Sequence, residues 1–256
     1  MNKDRRFAEK VAFVTGGGDG IGRAIAVEFA NGDASVVVAG RTEAKLKETV
    51  QLIESAGGKG LAVSCDVRKE NEVKTALQIT KETFGRLDIA VNNAGVDEKS
   101  SPSADQSTAE WERVIDTNVL GTFLCTKYEV PLLLEHGGGS IVNISSGAGV
   151  IGVKGQSAYV TSKHAIIGFT KSVALDYADK GIRVNTIAPD MTETDMMMKR
   201  ATGGKAENIA KAKSLAPIGR FAKPEEIAKA VTWLCSGDAS YLIGATIVVD
   251  GGQTVP

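Results

Sequence analysis

The sequence is poor in the residues that build metal sites and disulfide frameworks. Only two histidines, His136 and His164, occur in 256 residues, and there are three widely spaced cysteines (Cys65, Cys125, Cys235) with no C-x-x-C pair. An odd number of scattered cysteines is typical of reduced thiols in or near a core, rather than of a secreted disulfide framework. We therefore expect no metal site and a cytoplasmic location.

Long apolar runs and an excess of charge are also missing. The N-terminal stretch M-N-K-D-R-R-F-A-E-K lacks the apolar run of a signal peptide, and no segment approaches the ~20 apolar residues of a membrane span. Thirty basic residues face 31 acidic ones, which leaves a net charge of −1 and no basic tail. We expect neither nucleic acid nor a membrane as a partner.

What the sequence does contain is an alternation of short β-branched runs and longer helical patterns. Most of the short runs are apolar throughout, as expected for strands buried on both faces of a parallel sheet. The predicted strands span residues 11–15, 35–39, 61–65, 88–92, 140–144, 183–187 and 246–250. The predicted helices span 21–31, 42–56, 69–84, 108–134, 157–179 and 224–236. Glycines just past helix ends, where a left-handed cap favours this residue, are Gly32, Gly57, Gly85 and Gly181.

This alternation predicts right-handed crossovers and a doubly wound α/β fold with a parallel sheet and helices on both faces. An apolar fraction of 43% supports a substantial core. Because no repeat, linker or shift in composition divides the chain, we expect residues 1–256 to form a single domain.

One long excursion, residues 190–215, separates the last two predicted strands, with Gly203-Gly204 as a hinge. Ligands of open α/β sheets bind outside the carboxyl ends of the strands. A long loop that leaves this edge is suited to be a substrate lid, and a surface insertion without function is the alternative.

A glycine-rich turn, V-T-G-G-G-D-G-I-G-R-A, follows the first predicted strand and opens the first helix. Glycines allow a tight turn and let backbone N–H groups approach a pyrophosphate, to which the helix N-terminus adds its positive dipole end. The residues of this turn that we expect at the cofactor are Gly16, Gly18, Asp19, Gly20, Ile21 and Gly22.

Several further motifs follow in order and together closely resemble the short-chain dehydrogenase/reductase family over nearly the whole chain. They are Thr15-Gly16 with Gly20 and Gly22, N-N-A-G at 92–95, Asn118 in D-T-N-V, Ser146, Tyr159-x-x-x-Lys163 and V-D-G-G at 249–252. The resemblance implies a seven-stranded Rossmann fold, a nicotinamide dinucleotide and hydride transfer. It also implies a homo-oligomer, often a tetramer.

The resemblance assigns roles to four residues. Tyr159 would be the general acid in carbonyl reduction and the base in alcohol oxidation, while Ser146 would hold the substrate oxygen. Lys163 would bind the nicotinamide ribose and lower the pKa of the phenol, and Asn118 would support a water-linked proton relay. Helix periodicity places residues four apart on one face, and a nearby ammonium favours the phenolate, so the Tyr159–Lys163 spacing fits these roles. Ser145 is the competing serine, but its spacing to the tyrosine differs from the thirteen residues of the family pattern.

The end of the second predicted strand bears on the choice of cofactor. Gly40 stands where NAD-binding relatives carry an acidic residue, and Arg41 follows it. A guanidinium can bind a 2′-phosphate bidentately, so we favour NADP, with NAD as the alternative. Asp19 argues against NADP, because its charge could lie near the same phosphate.

Besides Tyr159 and Lys163, the other positions that the resemblance places at the cofactor are Asp66, Val67, Asn92, Gly95, Pro189 and Thr194. Asn92 and Gly95 would let the chain pass close to the adenine ribose, although a simple turn is the alternative. Asp66 would accept a hydrogen bond from the adenine amine, although a strand-end cap is the alternative. Thr194 would contact the nicotinamide carboxamide. The family's P-G-x-x-x-T is altered here, because Asp190 follows Pro189.

The C-terminal part of the sequence and the residue before the fifth predicted strand bear on the substrate. Residues 217–250 resemble the 3-oxoacyl-(acyl carrier protein) reductases of the family, but Glu135 stands where a basic docking residue would be needed for an acidic carrier. We therefore favour a free small ketone or secondary alcohol, with the carrier-linked reductase of fatty acid synthesis as the alternative. A non-catalytic dinucleotide-binding protein is a third hypothesis.

Overall fold

Seven strands form one sheet in the computed structural model, which describes residues 5–202 and 205–255. The strands are β1 Val11–Thr15, β2 Ser35–Gly40, β3 Lys59–Ser64, β4 Ile89–Asn92, β5 Gly139–Ile144, β6 Ile182–Pro189 and β7 Thr246–Val249. Their order is β3-β2-β1-β4-β5-β6-β7, and every neighbouring pair is parallel. The chain reverses its direction of growth between β1 and β4, which creates the crevice where such sheets bind ligands. The predicted fold class is confirmed.

The helices are α1 Gly20–Asn31, α2 Glu43–Ser55, α3 Glu70–Phe84, α4 Thr108–Ile115, α5 Gly121–Leu134, α6 Ser157–Tyr177, α7 Asp195–Thr202, α8 Ala206–Leu215 and α9 Pro224–Cys235. The helix predicted over 108–134 is interrupted by a π-helical turn, Asp116–Leu120. The excursion at 190–215 contains α7 and α8, which the sequence pattern did not reveal. The proposed hinge, Gly203-Gly204, lies outside the described residues.

Each face of the sheet carries its own hydrophobic core, which explains why the strands are apolar at consecutive positions. In β1, Val14 packs on one face with Phe29 of α1, and Phe13 packs on the other face with Leu77 of α3. Alternate side chains of a strand point to opposite faces, so burial on both faces removes the polar half of the pattern.

The glycine caps that the sequence predicts are found at three of the four positions. Gly57, Gly85 and Gly181 have φ of 77°, 75° and 78°, in the left-handed region. The prediction for Gly32 was wrong, because its φ is −83° and Asp33 takes the left-handed conformation at 73°. Gly32 is needed for space instead, since an added Cβ would lie 2.6 Å from Cδ2 of Phe7.

The parts of the chain described by the structure offer no helix that is long and apolar enough to cross a membrane. All three cysteines are buried, free thiols. Burial raises the pKa of Cys65 and Cys235 to about 12, so these thiols stay protonated and unreactive.

Candidate active site

A cleft of ≈ 470 Å³ runs along the carboxyl edge of the sheet, across the crevice between β1 and β4. Most of the residues that the sequence places at the site line this one cleft. They are Gly16, Gly18, Asp19, Gly20, Ile21, Gly22, Arg41, Asp66, Val67, Gly95, Ser146, Tyr159, Lys163, Pro189 and Thr194. Two predicted residues, Asn92 and Asn118, are not among its lining side chains.

The turn between β1 and α1 leaves no room for side chains at its crossing point. Gly16 and Gly20 have φ of 65° and 50°. A Cβ on Gly22 would fall onto the carbonyl oxygen of Gly16, far inside contact distance, and 2.5 Å from Nδ2 of Asn93. The Asn93 amide donates to the carbonyl oxygens of Thr15, at 3.0 Å, and Gly16, at 3.2 Å. The end of β4 thus holds the glycine turn against the start of α1.

A cluster of three charged side chains marks the end of the cleft beyond β2. Arg41 follows the strand, and Lys45 lies in the first turn of α2. Nζ of Lys45 contacts Oδ2 of Asp19 at 2.5 Å, so the acidic residue of the glycine turn already has a cationic partner. The hydrogen bond that Lys45 donates to the Asp19 carboxylate raises the pKa of the Lys45 ammonium. Lys45 was not predicted from the sequence, although a basic residue in the first turn after β2 is a signal for it.

Asp66 closes the same end of the cleft. Its carboxylate accepts hydrogen bonds from Nε of Arg68 at 2.9 Å and from Nη2 at 2.5 Å. The Arg68 hydrogen bond is the main cause that lowers the pKa of Asp66. This carboxylate is therefore ionised at neutral pH and can accept a hydrogen bond from an amine.

At the opposite end of the cleft, Tyr159 and Lys163 project from the same face of α6. Nζ of Lys163 lies 5.6 Å from the centroid of the Tyr159 ring and donates to the carbonyl oxygen of Ile144, at the end of β5, at 3.0 Å. Both residues are at least nine-tenths buried. Burial lowers the pKa of the Lys163 ammonium to about 8, and the carboxylate of Asp97 opposes this shift.

The two serines after β5 have different environments. Oγ of Ser146 accepts a hydrogen bond from the backbone N–H of Ala148 at 3.2 Å and retains its own proton for donation into the cleft. Oγ of Ser145 donates to the carbonyl oxygen of Lys163 at 2.8 Å. Ser145 therefore anchors α6, which leaves Ser146 as the better donor to a substrate.

Asn118 lies in the π-helical turn between α4 and α5 and is fully buried behind the cleft wall. Its Oδ1 accepts from the N–H of Val96 at 2.8 Å, while Nδ2 donates to the carbonyl oxygen of Val96 and to Oγ of Ser162, each at 3.0 Å. A π turn widens a helix locally and is frequent at functional sites. Here it directs the Asn118 amide towards α6.

The structure places the side chain of Asn92 inside the sheet rather than in the cleft. Its Nδ2 donates to Oε2 of Glu129 and to Oδ1 of Asn143, each at 3.0 Å. Asn93 occupies the cleft wall instead. Only the main chain of Asn92 is left for the predicted role near the ribose.

The segment after β6 forms the remaining wall. Oγ1 of Thr194 accepts from the N–H of Met197 at 3.2 Å, so this residue caps α7, and its methyl group lies against Gly20. The backbone N–H of Asp190 donates to the carbonyl oxygen of Val249 at 3.3 Å, which continues the pairing of β6 with β7. Outside glycine, the described residues with positive φ are Glu9 and Asp33, so Asp190 does not adopt a conformation that requires the family's glycine.

Comparisons with known proteins identify the family of this chain. A family model described as enoyl-(acyl carrier protein) reductase matches residues 16–254. A cyclohexanol dehydrogenase of Acinetobacter sp. (strain SE19) is 41% identical over 249 residues, which cover 97% of this chain and 96% of that protein. A 2,5-dichloro-2,5-cyclohexadiene-1,4-diol dehydrogenase of Sphingobium indicum is 41% identical over 246 residues, which cover 96% of this chain and 97% of that protein. The crystal structure of levodione reductase superposes with a TM-score of 0.93 at 32% identity and covers 97% of this chain and 98% of that one.

The chain belongs to the short-chain dehydrogenase/reductase family. Like its relatives, it is an oxidoreductase that acts on CH–OH groups and exchanges a hydride between a nicotinamide cofactor and a ketone or secondary alcohol. The prediction of an enzyme is confirmed, and with it the general reaction.

The cleft fits a nicotinamide dinucleotide of this short-chain dehydrogenase/reductase. The glycine turn brings bare backbone to the N-terminus of α1, and a Cβ at Gly95 would lie 3.3 Å from Oδ1 of Asn118 and 3.6 Å from Nζ of Lys163. At the glycine turn and at Gly95 the cleft is therefore bordered by backbone without side chains, which lets a dinucleotide approach the main chain closely. Within residues 5–202 and 205–255, no group of three or more His, Cys, Asp or Glu side chains could hold a metal ion.

A buried polar cluster beneath the cleft was missed by the sequence analysis. Glu129 of α5 is fully buried, and Oε2 accepts from Asn92, while Oε1 has no hydrogen-bond partner. Burial raises the pKa of this carboxyl to about 8. A glutamate inside a helical pattern normally indicates a solvent-exposed face, so only the tertiary structure reveals this one.

We predict that Glu129→Gln removes a pH dependence of the free energy of unfolding. The raised pKa means that the unfolded chain loses this proton from about pH 4.5 upwards, while the folded chain keeps it until about pH 8. The contribution of Glu129 to the free energy of unfolding is thus fully present below about pH 4.5 and declines by on the order of 3–5 kcal/mol between about pH 4.5 and pH 8.

Urea unfolding between pH 5 and pH 8 measures this effect. Glu129→Gln should show little decline, whereas the exposed control Glu54→Gln, on α2, should decline like the wild type. Equal slopes for wild type and Glu129→Gln would show that the Glu129 carboxyl is ionised in the folded protein.

Proposed function

We propose that this enzyme is an NADP-dependent reductase of small, free cyclic ketones and dehydrogenase of the corresponding secondary alcohols. The observation that carries the proposal is one cleft lined by the glycine turn, by Arg41 and by Ser146, Tyr159 and Lys163 together. The bound nicotinamide supplies the hydride for reduction and accepts it in oxidation.

In reduction, the chain supplies a proton and holds the substrate oxygen. The Ser146 hydroxyl donates a hydrogen bond to the carbonyl oxygen, which polarises the carbonyl group. As the hydride reaches the carbonyl carbon, the phenol of Tyr159 gives its proton to the oxygen, and an alcohol and a phenolate result. Oxidation runs these steps in reverse, with the phenolate as base.

Lys163 supports both directions. Its ammonium donates a hydrogen bond to the carbonyl oxygen of Ile144 and lies 5.6 Å from the centroid of the Tyr159 ring. A positive charge at this place favours the phenolate form of Tyr159. We propose that the same ammonium binds the hydroxyls of the nicotinamide ribose. The Asn118 amide is hydrogen-bonded to Val96 and to Ser162, and its place next to Gly95 supports a water-linked proton relay past Lys163.

The preference for NADP rests on the charges beyond β2. Arg41 and Lys45 both line the cleft there, and the ion pair with Lys45 offsets the acidic charge of Asp19. No carboxylate takes the place of Gly40. The acidic side chains Asp19 and Asp66 at this end are already paired, with Lys45 and with Arg68, so a 2′-phosphate can bind the guanidinium of Arg41. The alternative cofactor NAD would leave Arg41 without a ligand at this site.

Substitution of Arg41 by alanine tests the cofactor preference. We expect the Kd for NADP to rise at least about tenfold, since a charge-assisted hydrogen bond contributes ~1.5–3 kcal/mol, while the Kd for NAD changes little. Fluorescence titration of each cofactor measures this. Lys47→Ala is the matched control, because Lys47 is an exposed lysine of α2 that pairs with Glu43 and does not line the cleft. An equal loss for both cofactors, or a clear wild-type preference for NAD, would contradict the proposal.

The substrate class is supported by the relatives and by the surface. The cyclohexanol dehydrogenase and the 2,5-dichloro-2,5-cyclohexadiene-1,4-diol dehydrogenase are named for cyclic compounds. A carrier-linked substrate would need a basic docking surface, but Glu135 is present after α5, and it pairs with Lys81 at 2.8 Å.

A panel assay decides between these substrates. Cyclohexanone, cyclic diols and a β-ketoacyl group on acyl carrier protein or on a free thioester would each be followed by nicotinamide absorbance. The proposal predicts the highest kcat/KM with a free cyclic compound. A higher kcat/KM for the carrier-linked substrate would favour the alternative function.

The proposal also includes a single domain with a lid, a homotetramer and a cytoplasmic location. Thr194 and the exposed Met196 line the cleft, which supports a lid whose base is α7. Exposed apolar side chains on two neighbouring helices, Phe123 of α5 and Leu175 of α6, support burial against another copy. Light scattering that gives the 26.8 kDa of one chain would contradict the tetramer.

A further inference from the structure

The helix that carries Tyr159 and Lys163 begins without a capping residue of its own. The N-cap position of α6 is Gln156, whose side chain makes no capping hydrogen bond. The first N–H groups of a helix lack partners within the helix, and in a buried place they need other acceptors. Ala158 and Tyr159 lie in this first turn and are buried.

A carboxylate from a distant part of the chain provides these acceptors. Oε1 of Glu98 accepts from the backbone N–H of Tyr159 at 3.0 Å, and Oε2 accepts from the N–H of Ala158 at 3.3 Å. Glu98 lies 60 residues before Ala158, in the segment after β4. Gln106 donates its side-chain N–H to Oε2 and accepts from the hydroxyl of Ser157, which fixes the Glu98 side chain at the start of α6.

Glu98 is itself 6% exposed, and a buried carboxylate is costly unless donors surround it. Here two backbone N–H groups and one amide satisfy it at the positive end of a helix dipole. The arrangement couples a buried charge to the main chain of a residue in the reaction cleft.

The carbonyl group of Tyr159 is held as well. Oγ of Ser162 donates to this carbonyl oxygen at 2.7 Å and accepts from Nδ2 of Asn118 at 3.0 Å. Lys163, one turn further along α6, is fixed independently by the carbonyl oxygen of Ile144. Loss of the Glu98 contacts would therefore loosen Tyr159 relative to Lys163, while Lys163 keeps its own anchor.

We propose that Glu98 is a positioning residue, which holds the backbone of Tyr159 so that its phenol meets the substrate oxygen. The inference rests on the proposed role of Tyr159. It assigns to the segment after β4 a part in catalysis besides its contribution to the cleft wall.

Glu98→Gln tests the inference with little change of shape. The amide of Gln has one acceptor oxygen in place of two, and its NH2 group donates rather than accepts. It would therefore face the backbone N–H of Ala158 or of Tyr159 with another donor, and one of these hydrogen bonds is lost. We expect kcat for ketone reduction to fall about 10–100-fold, because a displacement of a reacting group by about 1 Å has an effect of this size. The Kd for the cofactor should stay within about threefold, since Glu98 does not line the cofactor cleft.

The control is Glu226→Gln at the start of α9, where Oε2 of Glu226 accepts from the N–H of Lys223 at 2.8 Å. This variant also loses a helix-capping carboxylate, but α9 carries none of the proposed catalytic residues. We expect a lower Tm in both variants. At a temperature well below either Tm, we expect a lower kcat in Glu98→Gln alone. If Glu98→Gln does not fold, Glu98→Asp is measured in the same way, with the same expected split between kcat and cofactor Kd.

An unchanged kcat in the folded Glu98 variant, with a Tm lowered as in the control, would overturn the inference and leave Glu98 a structural cap. A loss of cofactor affinity equal to the loss of kcat would also overturn it. Tyr159→Phe, measured in parallel, distinguishes a failure of the Glu98 inference from a failure of the proposed function. If Tyr159→Phe turns over normally, the proposed role of Tyr159 itself is wrong.

Discussion

Tyr159→Phe is expected to lower kcat for ketone reduction by about 10²–10⁴-fold, the usual contribution of general acid catalysis, and to leave the Kd for the cofactor unchanged within about threefold. The substitution removes only the hydroxyl group, and the ring can keep its place 5.6 Å from Nζ of Lys163. The glycine turn and Arg41 line the opposite end of the cleft and remain unchanged in this variant. We therefore expect cofactor binding to persist without the phenol hydroxyl. Steady-state kinetics and fluorescence titration measure the two quantities.

Tyr177→Phe is the matched control for this prediction. It removes a tyrosine hydroxyl from the last residue of the same helix, α6, at a position that does not line the cleft. Its kcat should equal that of the wild type. Near-normal turnover of Tyr159→Phe would refute the assignment of the proton donor.

Gly22→Ala is expected to abolish cofactor binding, with a rise in Kd of at least about 100-fold, because the added methyl group overlaps backbone that cannot move independently. Its Cβ would fall onto the Gly16 carbonyl oxygen and 2.5 Å from Nδ2 of Asn93, the amide that holds the turn. The overlap can be relieved only if the glycine turn opens. Opening moves the backbone N–H groups of the turn away from the position that we predict for the pyrophosphate. Overpacking of this kind also lowers the free energy of unfolding by ~1–3 kcal/mol.

Gly237→Ala separates steric overlap from the general effect of a glycine substitution. Gly237 is exposed beyond α9, and an added Cβ meets nothing within 4 Å. This variant should bind the cofactor like the wild type. Titration below the Tm of both variants gives the comparison, and wild-type affinity in Gly22→Ala would contradict the predicted place of the pyrophosphate.

The sequence was sufficient to predict the sheet because its strands are buried on both faces. A run such as V-A-F-V-T becomes β1 Val11–Thr15 without a shift, since a short, consecutively apolar run flanked by turn residues is typical of a strand in a buried parallel sheet. The excursion at 190–215 was harder, because a polar stretch with three consecutive methionines shows no clear helical period. Its helices α7 and α8 therefore appear only in the structure.

The site was predictable as far as its motifs reach along the chain. The N-N-A-G motif places two asparagines at the end of β4, but the motif does not state which one faces the cleft. The pleat decides it: Asn92, still within the strand, pairs with Asn143 in the sheet, and Asn93 leaves towards the glycine turn. Glu98 and Glu129 could not be recognised because their functions depend on contacts with distant segments.

One measurement tests the central claim, that this cleft transfers a hydride and a proton to a carbonyl group. Wild-type enzyme and Tyr159→Phe are each loaded with NADPH that carries deuterium at both positions of the reactive nicotinamide carbon, and each is mixed with cyclohexanone in a single turnover. We predict that the wild type yields cyclohexanol with one deuterium at the carbinol carbon, while Tyr159→Phe binds the cofactor but forms this product at least about 100-fold more slowly. Labelled product at the same rate in both proteins, or none in either, would contradict this claim.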